Sequence, residues 1–261
     1  MGGLGINKSK SKMRKMGSTG FKKEQAFHLF KNLISDPGGL FIFRGVRFRC
    51  RCKCLDVPDG RLVVDILAYY DPGTKEVFVC SRHLNKAINA YKLDVICART
   101  FILYVLLHEF VHYALDYLGF RPLLTRLPDK VRFDEPFSEY VALRSCVEGR
   151  LRLFGSIIRE LPVKEDEKRC VPLFFTFSRP VPYSYFNRIY APQDALLNVS
   201  AEAIFMKLVK MFSGIPAVNP KPITLTRMLF IDPPTELALR DVKPYMRLVQ
   251  KIPAVGVLWC D

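Results

Sequence analysis

Two histidines four positions apart, His108 and His112, stand in the apolar stretch LLHEFVHYAL, with Glu109 directly after the first. An α-helix turns about 100° per residue, so side chains at i and i+4 share a face, and two imidazole nitrogens there can meet one metal ion. Glu109 lies about 100° around from His108, too far to be a third ligand but within reach of a water on that metal. That is the position of a general base. His-Glu-x-x-His on a helix is a specific signature for zinc chemistry, in which the ion lowers the pKa of its water and polarises a carbonyl.

A third ligand is needed. The chain has four histidines, and the other two, His28 and His83, precede the motif. This excludes the zincins that continue His-x-x-Gly-x-x-His and the SprT-like proteases, leaving a carboxylate or a cysteine. The segment RFDEPFSEYVALRS, residues 132 to 145, begins a helix with Glu135 and Glu139 one turn apart on one face. From spacing alone either can reach the metal. Ser138 and Ala142 are small and let this helix approach the first, and Asp134 is the expected N-cap, with Pro136 tolerated in the first turn.

The two motifs together, His108-Glu109-Phe110-Val111-His112 and Asp134-Glu135-Pro136-Phe137-Ser138-Glu139-Tyr140, resemble those of the gluzincin metallopeptidases. The second motif of that family often reads Asn-Glu-Gly-Phe-Ala-Glu-Tyr; here Asp134 stands for Asn and Pro136 for Gly. The resemblance covers residues 95 to 150 and implies that Glu135 is the zinc ligand and that Glu139 hydrogen-bonds a zinc-bound histidine. It also implies a zinc metallopeptidase acting on a peptide or protein substrate, Glu109 passing the water's proton to the leaving amine. For an oxyanion donor the run RPVPYSYFNRIY offers Arg179, Tyr183, Tyr185, Arg188 and Tyr190, and Asp116 is a candidate partner for the second ring nitrogen of His112.

These residues must be carried by elements. Asp94 can cap a helix that runs from Val95 to Leu118 without Gly or Pro, and Gly119 can close it. Its uninterrupted apolar run, FILYVLL, is short of the ~20 residues a membrane span needs, so it is expected as a core helix, with no transmembrane segment. KKEQAFHLFKNLI reads as an amphipathic helix. In VRFRCRCKCLDV, Val46, Phe48, Cys50, Cys52 and Cys54 alternate with Arg47, Arg49, Arg51 and Lys53, as in a half-buried antiparallel strand. RLVVDILAYYDPGTKEVFVC adds a hairpin turning at Asp71-Pro72-Gly73. Strands followed by helices predict an α+β fold, a small antiparallel sheet packed on the zinc-binding helix and then a mainly helical C-terminal subdomain. The expected division is a basic tail at 1–20, a catalytic domain at 21–161, and a subdomain at 162–261, beyond the charged run KEDEK, that forms the other wall of the cleft. Within it, Ser200 caps a helix through Ile204, Leu208 and Phe212 that stops at Gly214.

Composition bounds the rest. Of 261 residues 49% are hydrophobic, enough for a substantial core and incompatible with a disordered chain. The tail carries Lys8, Lys10, Lys12, Arg14 and Lys15 and lacks the apolar segment of a secretory signal, so a cytoplasmic protein is expected. Part of the net charge of +15 lies there and part on the face of Arg47, Arg49, Arg51 and Lys53. That distribution supports an alternative: a nucleic-acid-binding regulatory or structural protein, or one with an acidic partner, whose zinc site is not catalytic. Side chains two apart on a strand are spaced by about 6.6 Å, whereas thiolates on one zinc lie about 3.8 Å apart, so Cys50, Cys52 and Cys54 are not expected to chelate. All eight cysteines are expected reduced, as in an intracellular chain, except that a hyperthermophile could use disulfides.

Overall fold

The structure, a computed structural model, describes residues 21–35, 40, 42–49, 56–59, 62–126, 133–171, 205–206 and 236–260. In chain order these form α1 (Lys23–Ser35), β1 (Phe43–Arg49), β2 (Asp56–Asp59), β3 (Leu62–Asp65), β4 (Ala68–Asp71), β5 (Glu76–Cys80), α2 (Ser81–Ala90), α3 (Val95–Tyr117), α4 (Arg121–Leu124), α5 (Asp134–Glu148), β6 (Arg150–Leu153), β7 (Ser156–Glu160), α6 (Glu165–Lys168), α7 (Glu236–Leu248) and β8 (Val255–Cys260). The fold is mixed, with a small sheet and several helices. The predicted tail, the cysteines of the Cys-x-Cys-x-Cys run, the helix capped by Ser200 and the aromatic run at 179–190 fall outside the described residues, save Phe205 and Met206.

The central helix α3 forms where its punctuation predicts. Asp94 accepts a hydrogen bond from the Cys97 amide at 2.8 Å. At the other end Gly119, at φ +82°, lets its own amide reach Asp116 O at 3.0 Å and the Phe120 amide reach Leu115 O at 2.9 Å. This Schellman closure satisfies carbonyls that the helix leaves open and turns the chain sharply into α4. By length and hydropathy α3 is long enough to cross a membrane, but α5, α1 and β4 pack against it and 16 of its 23 residues are buried.

The sheet corrects the expectation of an antiparallel one. Its order is β1-β8-β5-β4, with β8 parallel to both β1 and β5, and only β4 antiparallel to its neighbour. Parallel neighbours require long connections, and β8 reaches the middle of the sheet from far along the chain. Residues 255–260 therefore belong to the same sheet as β1, β4 and β5, which the expected division at 161 does not foresee. The hairpin of β4 and β5 does turn at Asp71-Pro72-Gly73, where the Asp71 carboxylate accepts from the Gly73 amide at 2.8 Å.

The charged run KEDEK is likewise not a free boundary. Glu167 is buried and pairs with Arg99 of α3 at 2.5 Å, and the Arg99 guanidinium also donates to Pro162 O at 3.0 Å. Beside them Cys97 and Cys170 form a disulfide across 73 residues. Cys80 and Cys260 each take part in a further disulfide, so the expectation of eight reduced cysteines is corrected. Tertiary packing brings distant thiols together, and that separation leaves no local trace in sequence. Among the described residues only buried Cys146 is a free thiol.

Candidate metal centre

Helices α3 and α5 pack along each other, with Ser138 and Ala142 fully buried between them, and this brings Glu135 over the histidine pair. His108 Nε2 and His112 Nε2 lie 3.1 Å apart, and Glu135 Oε2 lies 3.3 Å from the first and 3.5 Å from the second. Ligand atoms about 2.1 Å from a tetrahedral ion are separated by about 3.4 Å, so the three atoms have the spacing of one face of a metal tetrahedron. The trio is also the group of His, Cys, Asp and Glu side chains among the described residues whose atoms are close enough to hold a metal ion.

The far sides of both rings face carboxylates. His108 Nδ1 lies 3.4 Å from Glu139 Oε2, and the buried Glu139 also accepts a hydrogen bond from the Tyr104 hydroxyl. His112 Nδ1 lies 3.7 Å from Asp134 Oδ2. A carboxylate thus stands behind each ring, on the side away from the metal position, where an outer partner of a zinc-bound histidine sits. Asp134 is not the N-cap: it is the first helical residue, and Phe133 stands in the cap position. Asp116 does not serve His112 either. Its Oδ2 accepts from the Tyr70 hydroxyl at 2.6 Å and from Lys75 Nζ at 2.5 Å.

Glu109 is buried, and its Oε2 accepts the Tyr70 backbone amide at 2.8 Å. Tyr70 thus ties the edge strand β4 to α3 at two points, amide to Glu109 and hydroxyl to Asp116. Burial raises the Glu109 pKa, while His108, His112 and the Tyr70 amide oppose that rise. For His108 burial acts downward, but hydrogen bonds to Glu135 and Glu139 outweigh it, and the ring is held well above its ordinary value. Burial pushes Glu135 upward, and the two histidines overcome this to hold it far below the usual carboxylate range. Without metal, then, His108 is an imidazolium facing a carboxylate.

A cavity of about 1000 Å³ opens over these groups. One side is the β4 edge, residues 66 to 70 and Pro72; the other is α3 from Tyr104 to Asp116, with Arg121, Leu124 and Thr125 beyond it. Sequence reasoning brought His108, Glu109, His112, Glu135 and Glu139 into one site. It missed Tyr70, whose contribution to Glu109 is a backbone amide with no sequence signal, and Tyr104, whose cue was its place one turn before His108. Asp134 was read only as a cap, and Arg121 not at all. On the basic strand, Arg47 is not a free cation: it crosses the central strand to pair with Glu76 over Gly256, where a β-carbon would meet Glu76 Oε1 at 3.2 Å. No family model matches the chain, and no curated protein or solved structure matches it.

Proposed function

We propose that the protein is a zinc metallopeptidase in which His108, His112 and Glu135 hold the ion and Glu109 is the general base. The observation that carries this reading is the convergence of three ligand atoms at 3.1 to 3.5 Å beside a buried carboxylate in an open cavity. Zinc bound there supplies a Lewis acid for the scissile carbonyl and an acidified water. Glu109, with Oε2 anchored on Tyr70, takes the attacking water's proton on Oε1 and delivers it to the leaving nitrogen. Glu139 and Asp134, behind the two imidazoles, orient them toward the ion. Strand β4 is the edge of its sheet and borders the cavity, so an extended peptide can add beside it.

The nucleic-acid alternative draws on the same basic strand, where Arg47 is engaged with Glu76. The deciding experiment is Glu109→Gln in zinc-loaded protein. Zinc content and melting temperature stay at wild-type values while peptide hydrolysis falls by about 10²- to 10⁴-fold, the usual worth of a general base. Equal cleavage by the variant would overturn the mechanism.

A further inference from the structure

Every carboxylate lining the cavity has a partner inside the protein. Glu109 is held by the Tyr70 amide, Asp116 by the Tyr70 hydroxyl and Lys75, Asp134 faces His112, and Glu135 faces both histidines. Arg121 is different. It is the single Lys or Arg among the described residues of the lining, its side chain is exposed, and it makes no ion pair among the described residues. Its place is built into the fold: Gly119 closes α3 in a left-handed turn, and α4 begins two residues later with Arg121 turned to the same cavity as the histidine pair. Asp116, the nearest acidic residue in sequence, cannot answer it without giving up Lys75 and Tyr70, which it binds at 2.5 and 2.6 Å.

A planar guanidinium with no ion pair among the described residues, at the wall of a cavity, is suited to bidentate pairing with a carboxylate. We infer that Arg121 selects substrates by a carboxylate, carried on an Asp or Glu side chain or at the peptide's C-terminus. This rests on the peptidase reading above and adds the class of substrate to it.

The test begins with full-length, zinc-loaded protein and a mixture of synthetic decapeptides, each made as the free acid and as the C-terminal amide, with products sequenced by mass spectrometry. The wild type is expected to favour either Asp or Glu at one fixed distance from the cut, or the free acid over the amide; which of these appears names the source of the carboxylate. For the best peptide, Arg121→Gln raises KM by about 10- to 100-fold, as loss of a charge-assisted hydrogen bond does, and leaves kcat within about twofold. Binding of that peptide to Glu109→Gln protein, followed by fluorescence anisotropy, weakens by the same factor when Arg121→Gln is added. Arg121→Glu transfers the preference to Lys or Arg. Zinc content and melting temperature do not change in either Arg121 variant. Cleavage without acidic preference, or a fall in kcat with KM unchanged, overturns the role of Arg121 and leaves the peptidase reading standing. A zinc-loaded wild type that cleaves none of the peptides overturns both.

Discussion

Replacing Glu135 by Ala and Glu139 by Gln separates a ligand from the residue that aims one. Glu135 Oε2 is 3.3 and 3.5 Å from the two histidine nitrogens, so Glu135→Ala removes one of three ligands. Glu139 lies behind His108, 3.4 Å from Nδ1, and Glu139→Gln keeps its shape while removing the charge that orients the ring. Loss of such an outer partner weakens metal binding by about 10- to 100-fold, and loss of a ligand must cost more. With free zinc at about 1,000 times the wild-type Kd, zinc stabilises the protein by about 4 kcal/mol; binding a hundredfold weaker leaves about 1.4 kcal/mol. For a chain of this size each kcal/mol moves Tm by about 2–4 °C, so at the hundredfold end the zinc-induced rise shrinks by about 5–10 °C in Glu139→Gln. In Glu135→Ala it all but vanishes. Thermal melts with and without zinc, paired with metal content by mass spectrometry, measure both. If Glu139→Gln lost the shift and Glu135→Ala kept it, the two roles would be reversed and the geometric argument refuted.

Zinc binding near neutral pH should release a proton, because the raised pKa of metal-free His108 keeps its ring charged. Calorimetric titrations in buffers of different ionisation enthalpy will show a release that fades as pH rises through that raised pKa, with affinity climbing over the same range; buffer-independent heats would contradict it. The Tyr70 hydroxyl is pushed far above the ordinary phenol value by burial and by its bond to Asp116. An acid raised in this way stays neutral, so Tyr70→Phe should leave the tyrosinate absorbance titration unchanged up to about pH 11. The Cys97–Cys170 disulfide spans 73 residues, for which loop entropy sets a contribution of about 4 kcal/mol. The Cys97→Ala, Cys170→Ala double variant should lose a substantial part of that in urea unfolding, and an unchanged midpoint would rule the contribution out.

The parts legible in sequence were those whose cause is local. Asp94 and Gly119 bound α3 because a cap and a left-handed turn act within a few residues. His108, Glu109 and His112 share one helix, and the Asp71-Pro72-Gly73 hairpin is set by its own side chains. The second helix was foreseen from its motif, yet its first turn was misread: a carboxylate at a helix start serves equally as a cap or as a partner for a ring, and only packing against α3 decides for His112. VGVLWC is a short apolar run that fits several environments, and nothing in it says that its neighbours are Phe43 and Glu76 rather than adjacent chain. The same holds for Asp116, whose partners Tyr70 and Lys75 come from the hairpin.

The placement of β8 also sets an order of events during synthesis. The histidine pair, Glu109 and Glu135 have all been made by residue 135, but β1 and β5 cannot pair through their common neighbour until residues 255–260 arrive. Until then β5 carries β4 on one side only, and the strand that holds Glu109 through Tyr70 hangs on half a sheet. A ribosome-bound fragment, or any product cut short before residue 255, therefore has the three ligands on α3 and α5 but lacks the central strand of the sheet whose edge holds Glu109. On the peptidase reading proposed above, activity therefore waits until the central strand is in place.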